Sequence, residues 1–191
     1  VFFNKHSILG EVIVADNGSI DNSKILAIKH GARVVEVHSI GYGSAIRGGI
    51  ESANSEFVIV GDSDDSHDFE NLELFYQGLI NGYDLIIGNR FKGGLYKDDM
   101  PFLHRYLGNP ILTGLGNLFF GTNIGDFHCG LRGLNKTSYF KMNLTTSGME
   151  FASEMIVKAK LHSLNMIEVP TKVFPSGRSR EAHLKTWPDG W

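Results

Sequence analysis

The first half of the sequence alternates short apolar runs with helical patterns, and this alternation limits the possible folds more than any other feature. Strand-like runs at Glu11–Ala15, Arg33–Val37 and Phe57–Val60 are each followed by a helical pattern, and a further run covers Asp84–Gly88. Successive strand-then-helix units predict an α/β fold with a largely parallel sheet. Such sheets bind ligands beyond the carboxyl ends of their strands. The polar residues that follow these runs are therefore candidate site residues.

Carboxylates crowd together directly after the third run. The segment from residue 62 to residue 68 holds four aspartates: Asp62, Asp64, Asp65 and Asp68. Clustered carboxylates repel one another and are costly to desolvate, so a folded chain usually holds them around a cation or leaves them in water. Asp62 and Asp64 can reach one hard cation together, and oxygen ligands suit Mg²⁺ or Mn²⁺. The alternative is that Asp65, Ser66 or Asp68 caps the next helix while the other carboxylates are solvated.

Composition narrows the class of protein. The 191 residues are 42% hydrophobic and 20% charged, which is typical of one globular domain of ordinary size. A net charge of −3 gives no support to nonspecific nucleic-acid binding. The single cysteine, Cys129, excludes an intramolecular disulfide and fits a reducing compartment. Because the sequence begins at Val1 and stops at Trp191, we expect a fragment of a longer chain.

The second half has a different pattern. The segment Pro101–Phe120 is apolar and rich in glycine, and Pro110 predicts either two short helices or one kinked helix there. Gly125–Gly133 is rich in turn formers and carries charge. Ser147–Glu150 matches a capping box that would open a further helix, and Met166–Val173 is a late strand-like run.

The glycines near residue 41 do not form a phosphate-binding loop. Gly43 and Gly48 have the separation of a P-loop, but Gly49 stands where the lysine must be. A nucleotide bound here would therefore be held by carboxylates, a metal ion and scattered arginines.

Ordered motifs along the chain resemble those of family-2 glycosyltransferases with the GT-A fold. Val14–Asp21 resembles their V-V-D-D-G-S-x-D segment, Asp62–Asp64 their D-x-D metal motif, and Gly88–Phe91 their G-[ST]-R-[FY] segment. Gly125–Arg132 and Phe151–Met155 resemble later motifs of the polyprenyl-phosphate sugar synthases, such as dolichol-phosphate mannose synthases. The resemblance spans nearly the whole chain. It implies one Rossmann-like, three-layer GT-A domain over residues 1–191, without the strand that usually comes first in the family.

The resemblance also implies roles for individual residues. Donor binding is assigned to Asp16, Asp62, Arg90 and Arg178, and metal binding to Asp62 and Asp64. The acceptor phosphate is assigned to Arg105 and Arg132. The candidate catalytic residues are Asp126, Glu154 and Arg90.

The implied activity is metal-dependent, inverting transfer of a sugar from a nucleotide-sugar to a polyprenyl phosphate. The enzyme would be cytoplasmic, bound peripherally or tethered at the cytoplasmic face of the membrane. A lipid phosphate is already anionic and needs no general base, whereas a hydroxyl acceptor would need Glu154 or Asp126 to take its proton. The alternatives are transfer to a sugar hydroxyl in cell-surface polysaccharide synthesis and a catalytically silent nucleotide-binding or scaffold domain. The sequence indicates neither the sugar nor the nucleotide.

Structural roles compete with several of these assignments. Glu150 can complete the capping box, and Glu154 can pair with Lys158 one turn later, worth about 0.3–0.5 kcal/mol. His67 fits a hydrogen-bonded surface residue better than a metal ligand. The apolar residues of the segment from 101 to 120 would usually be core, but with a lipid acceptor part of this segment could lie against a membrane: Leu103, Leu107, Ile111, Leu115, Leu118 and Phe119.

Overall fold

A computed structural model of the chain describes residues 2–93, 109–175 and 177. In chain order its first elements are α1 (Phe2–His6), β1 (Ile13–Asp16), α2 (Ser23–Lys29), β2 (Arg33–Glu36), α3 (Tyr42–Ser52), β3 (Phe57–Val60), α4 (Glu73–Ile80) and β4 (Leu85–Asn89). They are followed by α5 (Arg90–Gly93), α6 (Asn109–Phe120), β5 (Arg132–Asn135), α7 (Lys136–Met142), α8 (Phe151–Leu161) and β6 (Met166–Pro170).

The larger sheet has the strand order β3-β5-β4-β6. Strand β4 runs parallel to β6, and β5 runs antiparallel to both β3 and β4. Strands β3, β4 and β6 therefore share one direction, and β5 is the exception. The prediction of a largely parallel sheet is confirmed in this form, and the carboxyl ends of β3 and β4 lie at the same edge.

Strands β1 and β2 form a separate parallel pair. Helix α3 links this pair to β3, since an ideal Cβ on Gly49 would lie 3.3 Å from Ala15 of β1, whereas Ile50 packs in the core with Val58 and Val60 of β3. In the described part of the chain, β1 pairs only with β2, and β3 pairs only with β5. Among the described strands, one edge of β1 and one edge of β3 are thus unpaired. Among the described residues before β1, the one element is helix α1.

Successive side chains of the larger sheet point alternately to its two faces and into two separate core clusters, as the pleat of a strand requires. On β4, Leu85 and Ile87 face the cluster that includes α3 and α8, while Ile86 faces the cluster that includes α1 and α4. On β3, Val58 packs against the first of these clusters and Ile59 against the second. Helices thus cover both faces of the sheet, and the chain forms the three layers that the motifs implied.

The second half departs from the sequence-based expectations. Strand β5 begins at Arg132, at the end of the segment expected to be rich in turns, and helix α7 follows it directly in a stretch for which the sequence predicted no element. Pro110 is the second residue of α6, where its missing N–H costs no helical hydrogen bond, and the rest of the predicted segment up to residue 108 lies outside the described residues. The capping box is wrong, because α8 begins only at Phe151 and Glu150 accepts instead from the Gly148 N–H.

Candidate active site

Two loops from the amino-terminal half meet at the start of α3. Asn17, which follows β1, accepts a hydrogen bond from the Gly41 N–H through Oδ1 at 2.8 Å, and its Nδ2 donates to the Val37 carbonyl at 2.8 Å. Gly41 has φ +134°, and a Cβ there would lie 2.2 Å from the Ser147 carbonyl oxygen, so a side chain is excluded. Gly41 therefore serves close backbone packing, which agrees with the absence of a phosphate loop.

Asp16 ends β1 at the wall of a cavity. Its buried carboxylate accepts from the N–H groups of Gly18 and Ser19 at 3.3 Å, and Lys24 Nζ lies 3.6 Å away. The hydrogen bond from Ser19 is the main cause that lowers the pKa of Asp16, so the residue is anionic. The cavity has a volume of about 250 Å³ and is lined by Asp16, Gly18, Lys24, Glu36, Val37, His38 and Ile40. It offers charged and amide groups to a polar ligand.

The loop after β3 presents the two aspartates of the D-x-D motif. Asp64 Oδ1 accepts from the N–H and the hydroxyl of Ser66, and the Asp64 carbonyl accepts from the Gly177 N–H at 2.9 Å. Asp62 is 32% exposed and lies with Oδ2 at 3.4 Å from His67 Nε2. His67 is buried, so its prediction as a surface residue is wrong. The loop therefore offers two partly accessible carboxylates. Its backbone is held by the hydrogen bonds of Asp64 with Ser66 and Gly177.

Arg90 and Asp126 form a buried bidentate ion pair. Arg90 Nε and Nη2 each lie 2.7 Å from a carboxylate oxygen of Asp126, and Asp126 is fully buried. Burial opposes the charge of Arg90, but the hydrogen bonds that Arg90 donates to Asp126, together with the negative charge of that carboxylate, outweigh it and raise the pKa of Arg90. Because both oxygens of Asp126 are engaged and inaccessible, this residue is poorly placed to take a proton from a substrate. Arg90 keeps further N–H donors for a ligand.

Glu168 on β6 holds this pair in place and was missed by the sequence analysis. Its largely buried carboxylate accepts from the N–H groups of Gly125 and Asp126 at 2.8 and 3.0 Å and from Asn89 Nδ2 at 2.9 Å. Lys92 Nζ lies 3.1 Å from its other oxygen. The sequence does hold one sign of this role, because Glu168 is the one charged residue in an otherwise apolar strand.

The geometry contradicts the acceptor-phosphate role of Arg132. Its guanidinium is buried and donates to the carbonyls of Cys129, Ala152 and Phe127 at 3.0, 2.7 and 2.5 Å. An arginine used in this way ties the loop before β5 to α8. It acts as an internal support, and no face of it is open to a phosphate.

The geometry also contradicts the catalytic role of Glu154. Its carboxylate accepts from the N–H groups and hydroxyls of Thr145 and Thr146 and pairs with Lys158 at 2.8 Å. Burial alone would raise the pKa of Glu154, but the hydrogen bonds from Lys158, Thr146 and Thr145 lower it to about 2. A carboxylate this acidic is a weak base. The expected pair with Lys158 is present, and the two threonines are the partners that sequence reasoning missed.

His128 and Tyr42 lie close to the same region. Burial, with help from Arg132 and Arg90, lowers the pKa of His128 to about 4, so this imidazole is neutral near neutral pH. Its Nε2 lies 3.5 Å from Ser153 Oγ, and its buried Nδ1 has no partner in the described part of the chain. Burial and the charge of Asp62 raise the pKa of Tyr42.

The structure thus brings Asp62, Arg90 and Asp126 to one edge of the sheet, with Asp16 at the cavity beyond the start of α3. Arg105 and Arg178 lie outside the described residues. Within the described ranges, no group of at least three His, Cys, Asp or Glu side chains could hold a metal ion by itself. No described helix combines the length and apolar character needed to cross a bilayer.

Comparison with known proteins gives consistent matches. The family described as "Glycosyl transferase family 2" matches residues 7–141. The chain is 38% identical to the low-salt glycan biosynthesis hexosyltransferase Agl6 of Haloferax volcanii, over 96% of this chain and 44% of that protein. It is 29% identical to a dolichyl-phosphate hexose transferase of the same organism, over 84% of this chain and 68% of that protein. The chain thus spans less than half the length of Agl6.

A solved structure carries the same fold. The glucosyl-3-phosphoglycerate synthase of Mycobacterium tuberculosis, in complex with Mn²⁺, UDP and glucosyl-3-phosphoglycerate, superposes with a TM-score of 0.64 at 20% identity. The match covers 91% of this chain and 63% of that one. The fold of the chain is therefore GT-A.

Proposed function

Because the chain belongs to glycosyl transferase family 2, we propose that it is the catalytic domain of a metal-dependent, inverting glycosyltransferase that moves a sugar from a nucleotide-sugar to a polyprenyl phosphate. The observation that carries this proposal is the pair of partly accessible aspartates, Asp62 and Asp64, beyond the carboxyl end of β3. The dolichyl-phosphate hexose transferase among its relatives supports the acceptor, and the Mn²⁺ and UDP in the similar solved structure support the donor.

The donor set fits Mg²⁺ or Mn²⁺. Asp62 and Asp64 supply carboxylate oxygens, which hard cations prefer, and such ions commonly complete their shell with substrate phosphates and water. Two protein carboxylates are therefore enough for a cation that also binds a diphosphate. Once bound, the ion would neutralise the charge that grows on the departing diphosphate.

The cavity beside Asp16 is the proposed site for the nucleoside of the donor. Its carboxylate can accept from a ribose hydroxyl or a base N–H, and Lys24 and His38 line the same wall. The anionic state of Asp16 favours this acceptor role. The start of α3 lies between this cavity and the D-x-D loop. Gly41, just before the helix, bonds to Asn17 beside the cavity, and Tyr42, its first residue, lies near Asp62 of the loop.

The acceptor is proposed to be a phosphate because both candidate general bases are engaged elsewhere. Asp126 is bound to Arg90 on both oxygens, and Glu154 is bound to two threonines and Lys158. A phosphate monoester attacks as an anion and needs no group to remove a proton. The charge of Arg90, which its pair with Asp126 stabilises, would favour the transition state, in which negative charge moves to the diphosphate.

Helix α6 supports a location at a membrane surface. Its carboxyl-terminal half exposes four large apolar side chains: Leu115, Leu118, Phe119 and Phe120. Clustered exposed apolar residues on one helix are typical of a surface that meets a membrane or another protein. We propose that this part of α6 rests on the cytoplasmic face of the membrane, where the lipid acceptor would be found.

The test is a donor screen with lipid acceptors on the full-length protein. UDP-, GDP- and dTDP-sugars, radiolabelled in the sugar, are offered with polyprenyl phosphate or with free oligosaccharide, in Mg²⁺ or in Mn²⁺. We expect label in the lipid fraction, dependence on the metal, and an inverted anomeric centre in the product. Label only in the oligosaccharide would favour the hydroxyl acceptor, and a retained configuration would contradict the displacement.

A matched pair of variants links the activity to the D-x-D loop. Asp64→Asn should reduce turnover at least about 100-fold, because one cation ligand loses its charge. Asp68→Asn is the control, since the Asp68 carboxylate accepts only from Glu70 N and Asn71 Nδ2 among the described contacts. Metal-independent nucleotide binding that is the same in both variants would favour a silent module.

A further inference from the structure

His67 is buried beside the D-x-D loop, and within the described part of the chain neither of its ring nitrogens is hydrogen-bonded. The residue is 7% exposed, and both Nδ1 and Nε2 lack a partner in the described part of the chain. A neutral imidazole carries one N–H and one acceptor nitrogen. Folded proteins rarely leave such buried groups unused, so each exception needs an explanation.

The polar group that faces this ring is the carboxylate of Asp62. His67 Nε2 lies 3.4 Å from Asp62 Oδ2, slightly longer than a normal hydrogen bond. Gly130 closes the space on the other side, because a Cβ at that position would lie 2.7 Å from the same oxygen and 3.1 Å from the same nitrogen. A small rotation of Asp62 would complete the hydrogen bond.

The histidine is the fixed member of this pair. Its ring meets the ring of Phe69 edge to face, with centroids 6.2 Å apart at 88°. Its backbone forms a bridge with Val173, and the adjacent Ser66 carbonyl accepts from the Phe174 N–H. Asp62, at 32% exposure, is the more accessible of the two side chains.

We propose that His67 is a positioning residue whose Nε2–H donates to Asp62 Oδ2 and holds this carboxylate in the orientation that binds the divalent cation. This inference rests on the proposed function, since it needs a cation at Asp62. A carboxylate held in advance does not have to be ordered when the metal binds, and loss of such an outer partner typically weakens metal binding 10- to 100-fold. His67 itself touches neither the metal nor the reacting atoms.

Two amide substitutions distinguish the two ring nitrogens. Glutamine places an N–H near the position of Nε2, whereas asparagine places one near that of Nδ1. Calorimetric titration with UDP and MnCl₂ should give His67→Gln an apparent Mn²⁺ affinity within about threefold of the unmodified protein and His67→Asn one about 10-fold weaker. His6→Asn is the matched control, because His6 pairs with Glu73 on the surface, away from the loop. Unchanged Mn²⁺ affinity in folded His67→Asn would overturn the proposal.

A second measurement needs no metal and no variant of His67. Nitrogen-15 spectra of the imidazoles in the metal-free protein should place the proton of His67 on Nε2, and Asp62→Ala should shift both ring nitrogens. A proton on Nδ1, or spectra unaffected by Asp62→Ala, would overturn the proposal.

Failure of the proposed function and failure of the positioning role of His67 give different results. If the unmodified protein shows no Mn²⁺-dependent UDP binding, the proposed function fails, and the imidazole spectra still decide whether His67 holds Asp62. If the unmodified protein binds UDP with Mn²⁺ and the His67 variants bind equally well, only the positioning role fails.

Discussion

The carboxylate of Glu154 fixes the loop between α7 and α8. Four donors from Thr145 and Thr146 and the ammonium of Lys158 converge on it, and these bonds keep it ionised. The same loop meets the start of α3, because the Ser147 carbonyl accepts from the Gly43 N–H at 2.8 Å. Glu154, which the motif resemblance assigned to catalysis, therefore holds the loop that packs against the start of α3.

This role predicts a pH-dependent loss of stability in Glu154→Gln. The folded-state pKa of about 2 lies below the ordinary value of 4.5, so ionised Glu154 stabilises the fold above pH 4.5 and this stabilisation is lost as the pH falls toward 2. Urea unfolding should show the variant about 1–2 kcal/mol less stable at pH 7. The difference should shrink as the pH is lowered below 4.5.

Glu150→Gln is the control for this experiment, because Glu150 is exposed and its carboxylate accepts only from the Gly148 N–H among the described contacts. A Glu154→Gln variant whose deficit is the same at pH 3 and pH 7 would show that the charge of Glu154 does not stabilise the loop.

Gly130 gives a second prediction at the scale of one residue. A methyl group there would overlap Asp62 Oδ2 at 2.7 Å, so Gly130→Ala should displace this carboxylate and weaken Mn²⁺-dependent UDP binding by at least about 10-fold. Calorimetric titration measures the effect. Gly114→Ala is the control, because a Cβ at that helical position meets no atom of another described element within 4 Å. Equal affinities in the two variants would contradict the contact between Gly130 and Asp62.

Among the elements, β5 shows most clearly why the second half resisted prediction. Its four residues, Arg132–Asn135, contain one aliphatic side chain and no β-branched residue. It becomes a strand because it lies between β3 and β4 and bonds to both, with Gly133 opposite Ile59 and Ile86. Neighbouring strands supply the hydrogen bonds, and intrinsic propensity is overridden.

Helix α6 provides the prediction at this scale. If its exposed half rests on a membrane, Leu118→Glu and Phe119→Glu should each lower binding of the protein to vesicles of anionic phospholipid by about 10-fold or more, because a buried Leu or Phe contributes about 1.5–3 kcal/mol. Cosedimentation measures the bound fraction. Both side chains are more than 70% exposed, so the fold should be unaffected.

Phe140→Glu on α7 is the matched control, since Phe140 is 57% exposed on a different helix. Vesicle binding that is equally weak in all three variants would indicate a general effect of added negative charge. Unchanged binding in both α6 variants would exclude this helix as the contact.

For the whole molecule, the division into two sheets predicts uneven stability. Strand β4 is buried along its whole length between β5 and β6, whereas β1 pairs on one edge only within the described residues and its first three residues are half-buried. Amides of β4 should therefore exchange with solvent roughly 100-fold more slowly than those of β1, as measured by native-state hydrogen exchange. Equal protection would show that the β1–β2 pair and the larger sheet open as one unit.

The amino-terminal half was the predictable half of the fold. Phe57–Val60 is a strand with the predicted bounds, and the other runs became β1, β2 and β4 within a few residues, because short apolar runs rich in β-branched residues and the turn formers that bound them act locally. The capping box at Ser147–Glu150 failed, because the Glu150 carboxylate accepts from the Gly148 N–H and α8 begins only at Phe151.

By itself the sequence determined the α/β class, the family and the placement of aspartates and an arginine at strand ends, since these depend on residue order along the chain. The tertiary structure alone decided what each charge does. It paired Arg90 with Asp126, enclosed Arg132 among carbonyls, and turned Glu154 toward two threonines. The partners of a charged side chain lie up to dozens of residues away, and burial sets the strength of each interaction. Neither quantity can be read from local sequence.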